Sequence, residues 1–370
     1  MQLNKIKRYE IPSSSPSTGG VSSVNGMSGD VVIGNVGGLT CYVNALGGND
    51  ATAEAGNPLR PFQTLHGAVY AVQSGGLIEV FAGTYYEDDN TLPLGLLINS
   101  YDFYFHPNAI VHYYGNYGLY ISSSWIDGNI YGYGKFYTYA PTFTNFSGAA
   151  IWVEIYSTQK LFEFVFIVSA YDSSDTDSIL LHIGTCANTG TIWTFSNRIL
   201  SRRGTTVLIN SGARCTFAPT TGFIQNTGNK PAVVMNNPTE ASFINTPING
   251  YGNSFGRNQP KLVTIYAWFN TQKISFRNCS IYYISDMVSY RLIEFLGTVD
   301  AWAGVTFKDC LLINSSESST APKGSSIFTY YPINVRIMNT YASAATGGSG
   351  AITNLITQGN KLMIDPNVKL

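Results

Sequence analysis

Four six-residue segments in the C-terminal half of the chain align without gaps. They are Ala241-Ser-Phe-Ile-Asn-Thr246, Ile274-Ser-Phe-Arg-Asn-Cys279, Val305-Thr-Phe-Lys-Asp-Cys310 and Val335-Arg-Ile-Met-Asn-Thr340. Phe243, Phe276, Phe307 and Ile337 share one position at spacings of 33, 31 and 30 residues; Asn245, Asn278, Asp309 and Asn339 share the position two residues on. A strand-rich repeat near this length leaves a solenoid or a propeller. Propeller signatures such as a WD dipeptide are missing. Apolar residues stacked in columns, followed by an amide that can bond its neighbour from rung to rung, favour a parallel β-solenoid.

Composition agrees. The 370 residues include 37 Gly, 25 Tyr and 20 Phe but only 12% charged residues, and the net charge is −1. Aromatics favour strands and Gly favours tight turns, so the expected class is all-β. A disordered chain would carry more charge and fewer aromatics. A nucleic-acid partner would call for an overall basic excess. No apolar run reaches the length of a membrane helix, and the N-terminus shows no signal-peptide h-region. These features predict neither nucleic-acid binding nor membrane insertion. The five cysteines are odd in number, widely spaced and without a CxxC pair, so no structural metal is expected, and no cofactor. They read as reduced, buried stack residues.

Residues 1–38 differ from the rest. Lys5, Lys7 and Arg8 precede a Pro/Ser/Gly run over 11–20 that cannot build a core, which predicts an extended arm. Within Val21-Ser-Ser-Val-Asn-Gly-Met-Ser-Gly-Asp-Val-Val-Ile33, Asn25-Gly26 marks a tight turn after Val21 and Val24. Residues 39–370 are assigned to the solenoid. Phe62, Leu65, Val69 and Val72 recur at helical spacing, which predicts one helix near 61–73 with Pro61 in its first turn and Gly75-Gly76 after its end. That helix is expected to cover the first coil, because solenoid ends expose apolar surface and strand edge.

Two segments carry resemblances. Cys41-Tyr-Val-Asn, Gly47-Gly-Asn-Asp50, Asn57-Pro-Leu-Arg-Pro-Phe-Gln-Thr-Leu and Ile78-Glu-Val-Phe-Ala-Gly-Thr-Tyr-Tyr-Glu87 resemble the opening of pectin-lyase-like right-handed parallel β-helices. Enzymes and non-catalytic spikes share that fold. The segment Val21–Ile33 is similar to the V-x-S-V-N-G-x-x-G-x-V stretch near the start of bacteriophage fibre and spike proteins. The closing Ala351-Ile-Thr-Asn-Leu-Ile-Thr and Asp365-Pro-Asn-Val resemble the last coil of such appendages. The resemblance implies a virion protein, a tail spike, tail fibre or head fibre. Residues 1–38 would anchor it to other virion proteins through Lys5, Lys7, Arg8, Val21, Val24, Asn25 and Gly26. It further implies a homotrimer that binds host cell-surface polysaccharide, assembled in the host cytoplasm.

Catalysis on a glycan needs converging carboxylates. The acidic side chains are unevenly placed: residues 1–177 hold 15 acidic and 6 basic side chains, whereas residues 178–285 hold 9 basic ones and a single acid, Glu240. The middle coils therefore cannot supply a carboxylate pair themselves, which favours a structural role over an enzymatic one. Those cations read as a surface facing an acidic partner or an anionic glycan. Asp172, Asp175 and Asp177 form the best acidic cluster, read either as a catalytic or calcium loop or as a solvated turn. Glu87-Asp88-Asp89 reads as a solvated loop. Residues 101–139 contain ten tyrosines. Aromatic rings stack on sugars and also fill cores and oligomer interfaces. Tyr113, Tyr114, Tyr117, Trp125, Tyr131 and Tyr133 are the glycan-binding candidates.

Overall fold

The computed structural model describes residues 23–24, 27–28, 38–88, 101–114, 119–121, 128–139, 149–155, 160–169, 179–186, 190–202, 204–228, 230–252, 262–267, 273–285, 292–297, 304–316, 327–329, 335–343 and 362–364. The chain divides into two units, Met1–Val36 and Gly37–Leu370. In the first, Ser23–Val24 pairs antiparallel with Met27–Ser28, Val24 opposite Met27. That pairing leaves two residues between the paired strands. Asn25 and Gly26, together with Lys5, Lys7, Arg8 and Val21, lie outside the described residues.

The second unit is a parallel β-solenoid. Every ladder described in it is parallel, and each strand pairs with the one a coil earlier and a coil later. A single register column runs Cys41, Ile78, Phe103, Ile130, Phe162, Trp193, Phe217, Phe243, Phe276, Phe307, Ile337 and Ile364, twelve strands deep. This column defines the first face. A second face begins with Gly83–Asp88 and Ala109–Tyr114 and runs on through Ser280–Ser285 to Tyr341–Ser343. A separate sheet of eight strands, from Leu119–Ile121 to Ile327–Thr329, forms the third.

Alternation along each strand sends every second side chain inward. In Lys273–Arg277, Ile274 and Phe276 are buried while Lys273 and Arg277 are exposed. The inward rings stack. Phe217, Phe243, Phe276 and Phe307 follow one another with centroids 5.1, 4.9 and 4.8 Å apart and planes within 7°. The column extends through Trp193 and Phe162, whose centroids lie 4.4 Å apart. Trp193 is fully buried, and its indole N–H donates to Thr191 Oγ1 at 2.8 Å, so no polar group is left unpaired there.

The Asn/Asp column marks the corner between the first and second faces. Asn245, Asn278, Asp309 and Asn339 all have positive φ, at 51°, 52°, 55° and 44°. Asn and Asp tolerate this left-handed conformation better than other side chains do. Their side chains also bond between rungs: Asn278 Nδ2 donates to Asn245 Oδ1 at 2.7 Å, and Asn339 Nδ2 to Asp309 Oδ1 at 2.8 Å. One residue on, Thr246, Cys279, Cys310 and Thr340 turn inward and donate to main-chain carbonyls. Thr and Cys share this column because both carry a short donor. Cys41, Cys215, Cys279 and Cys310 form no disulfide and are buried, and burial pushes the Cys41 thiol up to about 11.

The helix spans Leu65–Ala71, shorter than the periodicity predicts. Thr64 caps it, its hydroxyl accepting from the Gly67 N–H at 3.0 Å. Pro61 therefore precedes the helix, and Phe62 instead bridges Val43 of the first strand. Leu65, Ala68, Val69 and Val72 are buried against the core, covering its open end. The strand edge is covered by the preceding loop: the Gly56 and Phe62 N–H groups donate to the Thr40 and Tyr42 carbonyls, both at 2.7 Å. Glu87 corrects the loop expectation at 87–89. It lies in strand Gly83–Asp88, is 2% exposed, and accepts from the Leu65 N–H at 2.9 Å. Strand parity turns its carboxylate inward beneath the helix, where it meets an N–H that no helical carbonyl reaches.

Candidate functional site

The outward positions of the second face carry the largest exposed aromatic group described. Register places Tyr86, His112 and Tyr137 in one column, and Asp88 beside Tyr114 in the next. Tyr139 follows Tyr114, its N–H donating to the Tyr113 carbonyl one rung back. Tyr86 and His112 stack at 5.3 Å, His112 and Tyr137 at 5.0 Å, and Tyr114 and Tyr139 at 4.6 Å with planes 9° apart. His112 Nδ1 and the Tyr139 hydroxyl lie 2.8 Å apart and hydrogen-bond.

Electrostatics follow from this crowding. Partial burial lowers the His112 pKa from the ordinary histidine value, so the ring is neutral at pH 7. The Tyr139 pKa is raised, first by burial and then by the phenols of Tyr114, Tyr137 and Tyr86, against an opposing pull from the Arg202 cation. The rings cover one another's faces. Tyr86, 65% exposed and on the first described strand of this face, ends its column. A sugar ring can stack there while neighbouring hydroxyls donate to it.

The sequence candidates fall in different places. Tyr114 joins the array at 47% exposure. Tyr113 does not: it is 2% exposed, because strand parity turns it inward, and it is withdrawn as a glycan contact. Tyr133 is exposed but sits between Gly132 and Gly134, away from the stack. Tyr131 is half-buried on the first face, its pKa raised by burial and then by the carboxylates of Asp102 and Glu163. Tyr117, Trp125, Asp172, Asp175 and Asp177 lie outside the described residues.

Sequence reasoning passed over Tyr86 and His112, which stand outside the tyrosine-rich run or are not tyrosines. The alternation of Thr84, Tyr86 and Asp88 could have shown that Tyr86 faces outward. It also passed over the carboxylates of the first face. Glu79 pairs with His106 Nε2 at 2.6 Å, Asp102 accepts from the Asn129 N–H at 2.9 Å, and Glu163 accepts from the Gly132 N–H at 3.1 Å. Among the described residues no group of three or more His, Cys, Asp or Glu side chains is placed to hold a metal ion. No helix described is long and apolar enough to cross a membrane. Comparison with known protein families, with curated proteins and with solved structures gives no match.

Proposed function

We propose that the chain is a structural appendage of a bacteriophage particle, a tail spike, tail fibre or head fibre, that attaches the virion to host-surface glycan. Residues 1–38 anchor it to other virion proteins. Three copies assemble side by side, with the solenoid coiled in the right-handed sense that parallel crossovers favour. The observation that carries the attachment reading is the stacked aromatic array of Tyr86, His112, Tyr114, Tyr137 and Tyr139 on a stiff, many-runged scaffold. A preordered array loses little side-chain freedom when a sugar docks.

Binding of the purified chain to host capsular polysaccharide tests this, with Tyr86→Ala and Tyr114→Ala expected to weaken it. Binding that survives both substitutions would remove the array from the attachment site. Imaging whole particles tests the location, and deletion of residues 1–33 is expected to abolish incorporation while the solenoid still folds. A second reading is a glycan depolymerase, for which Asp102 and Glu163, carboxylates of the first face that accept from the Asn129 and Gly132 N–H groups, are the described candidates. New reducing ends, or unsaturated products absorbing in the ultraviolet, would establish that activity.

A further inference from the structure

The first face carries a charge pattern that the fold itself does not use. Each inward ring of its C-terminal half is flanked by outward columns. The column just before the rings is hydroxylic, with Thr216, Ser242, Ser275 and Thr306 on four successive rungs. Ser242 Oγ and Ser275 Oγ hydrogen-bond at 3.0 Å, so neighbouring rungs present their hydroxyls side by side. Around this column stand Lys273, Arg277, Lys308 and Arg336, all exposed. Arg277 is in register with Lys308, and Thr306 with Arg336. Adjacent rungs lie about 4.8 Å apart, and Lys273 and Arg277 are separated by about 13 Å along their strand.

Like charges placed directly opposite each other across a ladder oppose pairing. On the C-terminal half of this face, the one ion pair among the described residues is Arg214 with Glu240 at 3.2 Å; Glu240 is in register with Lys273 on the next rung and lies two rungs before Lys308. Asp309, at the corner, accepts the Asn339 amide. Glu240 stands opposite Lys273 on the neighbouring rung, while Arg277, Lys308 and Arg336 face water over a flat hydroxyl-lined strip. An extended anion with charges repeated along its length matches that strip, because each carboxylate or sulfate can meet a cation while the Ser and Thr hydroxyls bond its remaining oxygens.

We propose that this strip, formed by Lys273, Arg277, Lys308 and Arg336 around Ser275 and Thr306, binds an acidic polysaccharide. The site lies on a different face from the aromatic array and gives the glycan of the attachment reading its chemical class. It rests on that reading only for its natural occupant.

The test uses the purified full-length chain with four probes: polygalacturonate, dextran sulfate, neutral dextran and double-stranded DNA. Polygalacturonate or dextran sulfate is expected to bind, with affinity falling as ionic strength rises, while neutral dextran does not. The Arg277→Gln/Lys308→Gln double variant is expected to bind about tenfold more weakly, and Arg336→Gln to weaken binding in the same sense. Arg60→Gln, an exposed cation of the loop before the helix, should change nothing. Circular dichroism and melting of each variant confirm folding, which these exposed positions leave intact. Tyr86→Ala should keep polyanion binding even where it loses host-glycan attachment, so the two readings fail separately. Undiminished binding by the double variant would overturn the proposal. Equal binding of neutral dextran would do the same, and a preference for DNA over both charged polysaccharides would replace it with a nucleic-acid surface.

Discussion

Phe276 is the most direct probe of what holds the stack together. Its side chain is fully buried and sits between Phe243 at 4.9 Å and Phe307 at 4.8 Å. Truncation to alanine removes the ring and leaves a cavity that parallel ladders above and below prevent from closing, a loss of about 3–5 kcal/mol. Replacement by leucine keeps most of the volume and removes two ring–ring contacts of about 0.5–1.5 kcal/mol each, a loss of about 1–3 kcal/mol. Because each coil touches only its neighbours, the damage should begin locally. Denaturant unfolding measures the total, and amide exchange measures the place, with Phe243 and Phe307 losing protection before Cys41 and Ile78. A loss below about 1 kcal/mol for Phe276→Ala would refute the cavity cost, and a Phe276→Leu variant as stable as the parent would mean the stacked rings contribute nothing beyond apolar filling.

Three further perturbations address other layers of the structure. Asn278→Gly should be milder than Asn278→Ala: both lose the 2.7 Å bond to Asn245, but alanine must also hold φ at 52°, costing about 1 kcal/mol more by urea titration. Cys310→Thr should stay within about 1 kcal/mol of the parent because Thr246 and Thr340 already occupy that column with the same kind of bond, whereas Cys310→Val should lose more. His182 is buried and its pKa is depressed to about 4, so between that value and the ordinary 6.5 the unfolded chain binds the extra proton. Stability should therefore be complete above pH 6.5 and fall by about 3 kcal/mol as pH drops towards 4. Melting curves of the parent and His182→Gln across that window should diverge at pH 7 and converge below 5, and parallel curves would exclude His182 as the source.

Much of the solenoid is legible in the sequence because its causes are local and repeated. Phe243, Phe276, Phe307 and Ile337 sit in near-identical words, and the Asn/Asp corner recurs because each coil must turn through a left-handed residue at the same place. Phe162, Trp193 and Phe217 belong to the same column but follow loops of other lengths and share no common word, so no spacing marks them. Tyr113 and Tyr114 are neighbours with opposite fates, decided by which of the two faces the core.

The sequence by itself therefore determines that this chain stacks parallel coils, with Phe276 inward and Asn278 at a corner, since alternation and repeat length act over a few residues. Only the tertiary structure decides which outward side chains become neighbours. Tyr86, His112 and Tyr137 meet 25 or 26 residues apart, and Arg277 and Lys308 meet 31 apart. Those meetings depend on the register that each intervening loop sets, and loop length varies from coil to coil while the rung spacing stays constant.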